Sequence, residues 1–596
     1  MHDELDRTTE SPAVSSTRPA TPTRLEMLDV AGAIAAAEKG AGSRVLGDTT
    51  ENGDLAHAIL EACSLADKST RATVIAPVER LASARDAMRR AASARLGIVA
   101  HAIAGHGAEE LAALTDLGWG VLSAAGPEDS FDLTLVARRA AEDSGVPFVV
   151  VHGLGRAQHA AGRAAAMVGV PEDKAVQAFV GPAARARSKA DGARAAAGDR
   201  AFAERAPFAL GAALREYGAV SGRRHDTFDK IPLGESPLVL VGLGPVGDAL
   251  FHATGELRAR GYDVGAVHVT SLRPFPGPRL VKALARALAI TVLEPADEPL
   301  AQGGLLAREL KSAFTDAITW APGFPGIGRI PKLFVGATGP AFDVADLAAV
   351  CENMLADERG RRVFSFMDVE HSLPRATRAP EAPAPSGEPR PEREIAIRFV
   401  LDDVAAAEAV LRAVGASLAS GVGLRAHGIV TATTPGAGAL VDVLASRDHA
   451  RGGMARRAPR LVIATERGVA SAGAVVPLPD GAVLGVLGAD PSGVLPEAAR
   501  TVVRERRALC LSRARRRWSP PRRRWRPSLP DAAPRRSPRV RSGPRSTEAP
   551  PRGSSANLPG AAQRRPEVAR RAFEATRDVL SAPRDEPDPG RPVGVA

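Results

Sequence analysis

The chain has 596 residues, 45% of them hydrophobic and 24% charged, a globular composition with room for roughly three or four domains. No apolar run approaches the ~18 residues of a membrane helix. Three cysteines, Cys63, Cys351 and Cys510, stand far apart; a cluster needs about four thiolates, so no iron–sulfur cluster is expected in this chain, nor a disulfide framework, and a reducing cytoplasm is the expected compartment. The net charge of +10 is local: residues 511–596 hold 21 Arg against 8 Asp and Glu, a surplus of +13, so the other residues sum to −3.

Residues 1–24 are acidic with no apolar stretch, which predicts a disordered lead-in rather than a signal peptide. Residues 25–178 read as one α/β domain. Helices are expected over Leu28 to Glu38, Val78 to Ala94, Ala108 to Leu114 and Phe131 to Asp143. Strands are expected at Ala72 to Ile75, Leu96 to His101, Trp119 to Ser123 and Pro147 to His152. Residues 179–235 form a connector with a helix near Phe208 to Tyr217.

Residues 237–294 carry the clearest pattern, β-α-β-α-β, which implies a parallel sheet covered by helices. Leu238 to Val241 is wholly apolar, as in a strand buried on both faces. Leu250, Ala253 and Leu257 lie at helical spacing, with Gly261 placed to end that helix. Val264 to Val269 is the second strand. Pro278 opens a helix with Leu280, Leu284 and Leu288 on one face, and Ala289 to Leu293 is the third strand, ending at Glu294. Further helices at Gly304 to Phe314 and Val344 to Met354 and a strand at Lys332 to Val335 extend the unit over 236–373.

Gly242, Gly244 and Gly247 match G-x-G-x-x-G between a strand and a helix, the dinucleotide fingerprint in its proper place. The ribose-binding acid is missing from Val267-His268-Val269-Thr270, and Pro245 removes an amide from the loop. A tight βα turn whose glycines permit close packing is the preferred reading.

Residues 374–392 are a Pro-rich linker. Residues 393–510 hold more α/β pattern: strands at Ile395 to Val400, Arg460 to Ala464 and Ala482 to Leu487, and a helix at Val404 to Val414. Residues 511–596, rich in Arg, Pro and Ser, cannot bury enough apolar surface to fold and are expected to be disordered. Trp518 and Trp525 among Arg clusters would suit nucleic acid or an acidic surface. A solvated tail, or out-of-frame translation of GC-rich DNA, is the simpler reading.

Four histidines, His101, His106, His152 and His159, fall in the first domain without a recognised ligand spacing and read as separate polar or loop residues. Glu294-Pro-Ala-Asp297-Glu298 follows a strand at the end where α/β sheets bind ligands, and reads as a solvated acidic loop. No G-x-S-x-G elbow and no Walker loop occurs.

Four motifs in order resemble those of the 2-oxoacid:ferredoxin oxidoreductases of the pyruvate:ferredoxin oxidoreductase type, over about residues 70 to 370. The family's T-x-x-S-Q-G-L region resembles Thr73-Val-Ile-Ala76-Pro77-Val78-Glu79-Arg80-Leu81. Its Q-E-x-x-D and following v-P-f resemble Pro127-Glu128-Asp129-Ser130-Phe131-Asp132 and Val146-Pro147-Phe148. Its G-R-x-Y resembles Gly222-Arg223-Arg224-His225. Its glycine-bearing first strand and R-P-F motif resemble Val241 to Gly244 and Arg273-Pro274-Phe275.

The resemblance implies a thiamine-pyrimidine-binding domain over 25–178 followed by a transketolase C-terminal-like domain II. It implies thiamine diphosphate with Mg at an interface with another chain, and partner subunits or domains that bind thiamine diphosphate or are of the ferredoxin type. Glu61 stands nearest the place of the family's glutamate, which hydrogen-bonds the aminopyrimidine. Gly242, Gly244, Gly247, Arg273, Pro274 and Phe275 are implied to be architectural. The family's G-D-G and the arginine after the LGIVAH strand are absent, with Ala104 and Gly105 near the latter's place. Residues 393–510 occupy the position of a γ-type domain.

The expected fold is therefore α/β, two or three parallel-sheet domains with a disordered basic tail. The expected protein is an α-type component of a 2-oxoacid oxidoreductase assembly, probed against two alternatives: a non-catalytic scaffold of that family, and a nucleic-acid-associated protein acting through its tail. No membrane partner is expected.

Overall fold

The computed structural model describes residues 23–46, 54–104, 111–153, 164–182, 195–231 and 236–374 except 302, 340 and 341, and, within 394–513, six strands and scattered helical residues between 406 and 417. Residues 375–393, which hold all of the expected 374–392 linker but Pro374, and residues beyond 513, with His106 and His159, lie outside the described residues; 511–513, expected in the disordered tail, belong instead to a strand, Leu509–Arg513.

Strand β1 (Thr23–Asp29) runs straight into helix α1 (Val30–Ala41), whose first turn is capped by the Asp29 carboxylate accepting from the Gly32 amide. The chain then builds a six-stranded sheet. β2 (Arg44–Leu46), β3 (Ala72–Pro77), β4 (Val99–Ile103), β6 (Phe148–His152) and β5 (Gly120–Ala124) lie side by side, all parallel. Alternate residues of the central strands feed two different cores, as a sheet covered on both faces requires. Val99, Leu122, Phe148 and Val150 face α1 and α6 (Pro127–Ser144). Val74, Ala100, Val121 and Val149 face α2 (Leu55–Asp67), α3 (Val78–Ser83), α4 (Arg85–Ser93) and α5 (Leu111–Thr115). The single helix expected over 78–94 is two, divided at Ala84 next to Ser83, whose hydroxyl donates back to the Arg80 carbonyl.

After β7 (Ala164–Pro171), α7 (Asp173–Val180) and the long α8 (Ala195–Ser221), a second six-stranded sheet forms. Its order is β14 (Val363–Ser365), β13 (Lys332–Ala337), β12 (Ala289–Glu294), β9 (Leu238–Leu243), β10 (Val264–Val269), β8 (Phe228–Lys230), parallel except for β8. Helices α9 (Gly244–Ala259) and α12 (Val344–Leu355) cover one face. Helices α10 (Gly277–Leu284) and α11 (Leu305–Ile318) cover the other. Leu288 does not extend the apolar face of α10; the helix ends at Leu284 and Leu288 is 53% exposed.

The two sheets share one strand crossing. On leaving β10 the chain enters β11 (Ser271–Arg273), which pairs antiparallel with β5 of the first sheet. Leu272 is fully buried there, in a core that runs from Ile59 and Met88 of the first unit to Leu310 and Phe314 of the second.

A third sheet has eight strands and draws on both ends of the described chain. Its order is β1, β7, β16 (Arg425–Ala432), β17 (Ala439–Ser446), β15 (Glu394–Leu401), β18 (Leu461–Thr465), β19 (Val483–Leu487), β20 (Leu509–Arg513). The half from β1 to β15 is antiparallel and the half from β15 to β20 is parallel. The fold is α/β with parallel strands dominating, and among the described residues no helix is long and apolar enough to cross a membrane.

The glycines of the β9–α9 turn are explained by contact. A Cβ on Gly247 would sit 2.4 Å from the His268 ring and 2.7 Å from the Gly242 carbonyl; one on Gly242 would sit 2.8 Å from the Gly247 amide. Gly244 has φ 53°, and α9 starts there. The close approach of β9, α9 and β10 accounts for the G-x-G-x-x-G spacing. Gly247→Ala is expected to cost about 1–3 kcal/mol through overpacking, read as a lowered thermal midpoint, while added NAD leaves the midpoint of the parent unchanged.

Candidate functional site

Helix α6 carries the densest chemistry in the described residues. Of its 18 residues 14 are buried, and it is polar on two of its faces. Ser130, Thr134 and Arg138 follow at i, i+4 and i+8, so they form one stripe, and it lies against the first sheet. Ser130 Oγ is 2.9 Å from His152 Nδ1, His152 Nε2 is 3.1 Å from His101 Nδ1, and His101 Nε2 is 3.0 Å from Glu38 Oε1 on α1. Arg138 donates to both Glu38 oxygens at 3.0 and 2.9 Å and to the Ala72 carbonyl at 3.2 Å. None of these five side chains is more than 1% exposed.

The electrostatics follow from that burial. Desolvation alone would raise the Glu38 carboxyl, but Arg138 and His101 outweigh it and hold the group at about 2. Glu38 is therefore a carboxylate paired with a guanidinium. His152 is pushed well below the usual imidazole value by burial and by its neighbour His101.

The opposite face of α6 holds a second cluster. Asp132 accepts from Arg223 Nε at 2.6 Å, His225 Nε2 at 2.7 Å and Tyr217 Oη at 2.6 Å, and from Arg223 Nη2. Arg223 also donates to the Gly169 carbonyl of β7 at 2.7 Å, and Glu128 lies 3.6 Å from it. Burial would raise Asp132, yet Arg223 and His225 hold it below the usual carboxylate range. The stretches Pro127 to Asp132 and Gly222 to His225, picked out separately in the sequence, thus meet in space through Asp132, Arg223 and His225.

Arg273 sits where the two six-stranded sheets join. It donates to the Thr115 carbonyl at 3.2 Å, the Leu272 carbonyl at 2.8 Å and Glu309 of α11 at 2.8 Å. The Pro274 carbonyl accepts from Ser271 Oγ at 2.7 Å, and Phe275 packs partly buried on the shared core. Gly242, Gly244 and Gly247 lie in the β9–α9 turn and take no part in the hydrogen bonds of the two α6 clusters.

Glu61 is placed elsewhere again. It lies about 10 Å along α2 from the capping Asp54, counting ~1.5 Å per residue, at the flank of the face that buries Ala58, Ile59 and Ala62. Its nearest charged partner is Arg44 at 3.8 Å, at the amino end of β2, and its side chain is 40% exposed. Ligands of parallel sheets gather at the carboxyl ends. Glu61 does not fit the part of a carboxylate meeting an aminopyrimidine there, so no catalytic step is assigned to it.

The histidines depart from expectation. His101 and His152 are neighbours on adjacent strands, where β4 pairs with β6. Both stand in otherwise apolar strand runs, and a polar side chain in such a run must find a partner; that was the signal available in the sequence. Glu294 also departs. It is buried rather than solvated, accepting from the amides of Leu306 at 2.8 Å and Ala307 at 3.2 Å at the start of α11. Burial pushes its carboxyl up to about 7, against those amides, which lower it. Among the described residues no group of three or more His, Cys, Asp or Glu could hold a metal ion.

The fold and its joint define a multi-sheet α/β protein, and one segment of it matches a known family model. Residues 237–327 match pyruvate:ferredoxin oxidoreductase core domain II. The chain is 28% identical over 257 residues to the ketoisovalerate oxidoreductase subunit VorA of Pyrococcus abyssi, covering 40% of this chain and 62% of that one. It is 29% identical over 134 residues to a putative pyruvate-flavodoxin oxidoreductase of Synechocystis, 22% of this chain and 10% of that one. It is 29% identical over 167 residues to the pyruvate synthase subunit PorA of Methanosarcina barkeri, 27% of this chain and 39% of that one. These matches support the 2-oxoacid:ferredoxin oxidoreductase family for the segments they cover, and the chain spans between 10% and 62% of the length of these relatives.

Two outcomes follow. Arg223→Ala leaves Asp132 buried without its main counter-charge and is expected to cost about 3–5 kcal/mol, measured by denaturant unfolding; the double change Asp132→Leu with Arg223→Met should recover much of that loss. For Glu294 the folded protein binds the proton more tightly than the unfolded chain. Its contribution is fully present below about 4.5 and is lost as pH rises through about 7, a change on the order of 3 kcal/mol. Glu294→Gln should lack that decline and melt higher than the parent above pH 7.

Proposed function

We propose that the chain is an α-type component of a 2-oxoacid:ferredoxin oxidoreductase, acting in oxidative decarboxylation of a pyruvate-like 2-oxoacid. Partner chains or domains would hold the thiamine diphosphate with its Mg and the iron–sulfur clusters. The observation that carries this reading is the core domain II match over 237–327, in a segment whose Arg273 bonds to the first unit at Thr115 and to α11 at Glu309. Two of the relatives are named as subunits, of ketoisovalerate oxidoreductase and of pyruvate synthase, which supports a multi-chain assembly.

Within it, this chain's residues would supply shape rather than electrons. Residues 25–178 are taken as the thiamine-pyrimidine-type domain, 236–373 as domain II and 393–510 as a γ-type domain. The third assignment is supported by β15, which starts a parallel run β15-β18-β19-β20 after the linker.

A second reading is favoured by one observation. Glu61 faces Arg44 and solvent, so the chain would be a non-catalytic scaffold that keeps the family's interfaces. The two are separated by purification from the native cell. The enzyme reading expects co-elution with a cysteine-rich iron–sulfur chain, and 2-oxoacid-dependent dye reduction with thiamine diphosphate, Mg and coenzyme A. It also expects Glu61→Gln to retain that activity within about twofold, since an exposed ion pair contributes little. Co-elution with no dye reduction would leave the scaffold, and elution without partners would remove both.

A further inference from the structure

The proton positions along Ser130, His152, His101 and Glu38 are dictated by chemistry. Glu38 is a carboxylate and can only accept, so His101 Nε2 carries a hydrogen. With His101 neutral, its Nδ1 is bare and must accept from His152 Nε2–H at 3.1 Å. His152 Nδ1 is then bare in turn and accepts the Ser130 hydroxyl at 2.9 Å. Only one neutral arrangement satisfies all four groups: Ser130 donates to His152, His152 to His101, His101 to Glu38.

A first added proton is accommodated only by turning the Ser130 hydroxyl from donor to acceptor. It leaves a cation in a cluster where Glu38 is already balanced by Arg138. A second proton cannot be accommodated, because His101 Nδ1 and His152 Nε2 would then point hydrogens at each other across 3.1 Å. The charged groups that face the two rings are Glu38 from α1 and Arg138 from α6, and neither can absorb the excess positive charge.

The position of this chain of bonds gives it a consequence. Glu38 lies on α1, which continues directly from β1, and β1 pairs with β7 in the eight-stranded sheet. His101 and His152 lie on β4 and β6 of the first six-stranded sheet. The bond between Glu38 and His101 therefore ties the element leading into one sheet to the centre of another.

We propose that the Ser130–His152–His101–Glu38 chain is an acid-sensitive latch that holds α1, and with it the β1 edge of the eight-stranded sheet, against the six-stranded sheet, and that uptake of protons by the imidazole pair releases α1. The latch is independent of the oxidoreductase reaction. In the released state both rings are free to take up protons that the bond directions of the closed chain cannot accommodate, so release is favoured progressively as pH falls.

Hydrogen–deuterium exchange of the full chain tests it. After correction for the intrinsic pH dependence of exchange, protection of the α1 amides, residues 30–41, should fall from pH 6.5 to 5.5, by up to about tenfold for each proton taken up on release. Protection of α9, which touches neither imidazole, should hold. His101→Gln with His152→Gln should abolish the α1 slope. Unchanged α1 protection in the parent, or a slope that survives in the double variant, would overturn the latch. A measurement on the parent alone guards against a variant that does not fold: ring 15N resonances at pH 7.5 should show Nε2-protonated, neutral imidazoles at both His101 and His152. An Nδ1-protonated tautomer or a cation at either would contradict the bond directions on which the latch depends.

Discussion

The buried charges of α6 set the arrangement of everything around it. The helix is enclosed by α1, α7, α8 and the first sheet, so a charged side chain buried on it must meet a partner brought from elsewhere in the chain. Arg138 meets Glu38 of α1, Asp132 meets Arg223 after α8, and Glu142 meets Arg71 just before β3. Arg71 also donates to the carbonyls of Ala41, Val180 and Gly181, so one guanidinium closes the ends of α1 and α7. Buried ion pairs add little net stability compared with apolar packing, but breaking one is costly. Each pair brings one neighbour onto α6: Glu38 of α1, Tyr217 of α8 beside Asp132 and, through Arg71, the end of α7.

The same helix links the sheets. α1 continues from β1, and Arg223 bonds the backbone of β7, so both strands that extend the third sheet toward the first unit are fastened to α6 by a buried charge. The second sheet is fastened differently, by covalent continuity from β10 into β11 and by Arg273 reaching Thr115 and Glu309. The match to core domain II, residues 237–327, falls in this second sheet and its joint. Conformational demands at a joint, such as the glycines packed on His268 and the Arg273 contacts, leave room for few substitutions.

What was legible in the sequence was local. Wholly apolar runs such as 238–241 and 289–293 marked strands buried on both faces, and 3.6-residue spacing marked α9 and α12. The chain's α/β class and its second unit followed from those patterns, and the family resemblance from short motifs. What was not legible depends on contacts between distant segments. The joining of β1 and β7 to strands beyond residue 394, the pairing of His101 with His152, and the choice of Glu38 rather than a surface partner for Arg138 all rest on which strands lie side by side, and no local pattern encodes that. Glu294 misled for a related reason. Next to Pro295, Asp297 and Glu298 it resembles a solvated loop, but the two free amides at the start of α11 turn inward and hold it.

If α6 is the element on which the arrangement rests, it should be the last to open. Native-state hydrogen exchange across residues 127–144, followed with increasing denaturant, measures this directly. The account predicts that the amides in the middle of α6 exchange only through the unfolding of the whole first unit, merging with its global opening and slower than those of α2 or α4. Exchange of the α6 core through a separate, lower-energy opening, while the first sheet stays protected, would contradict it.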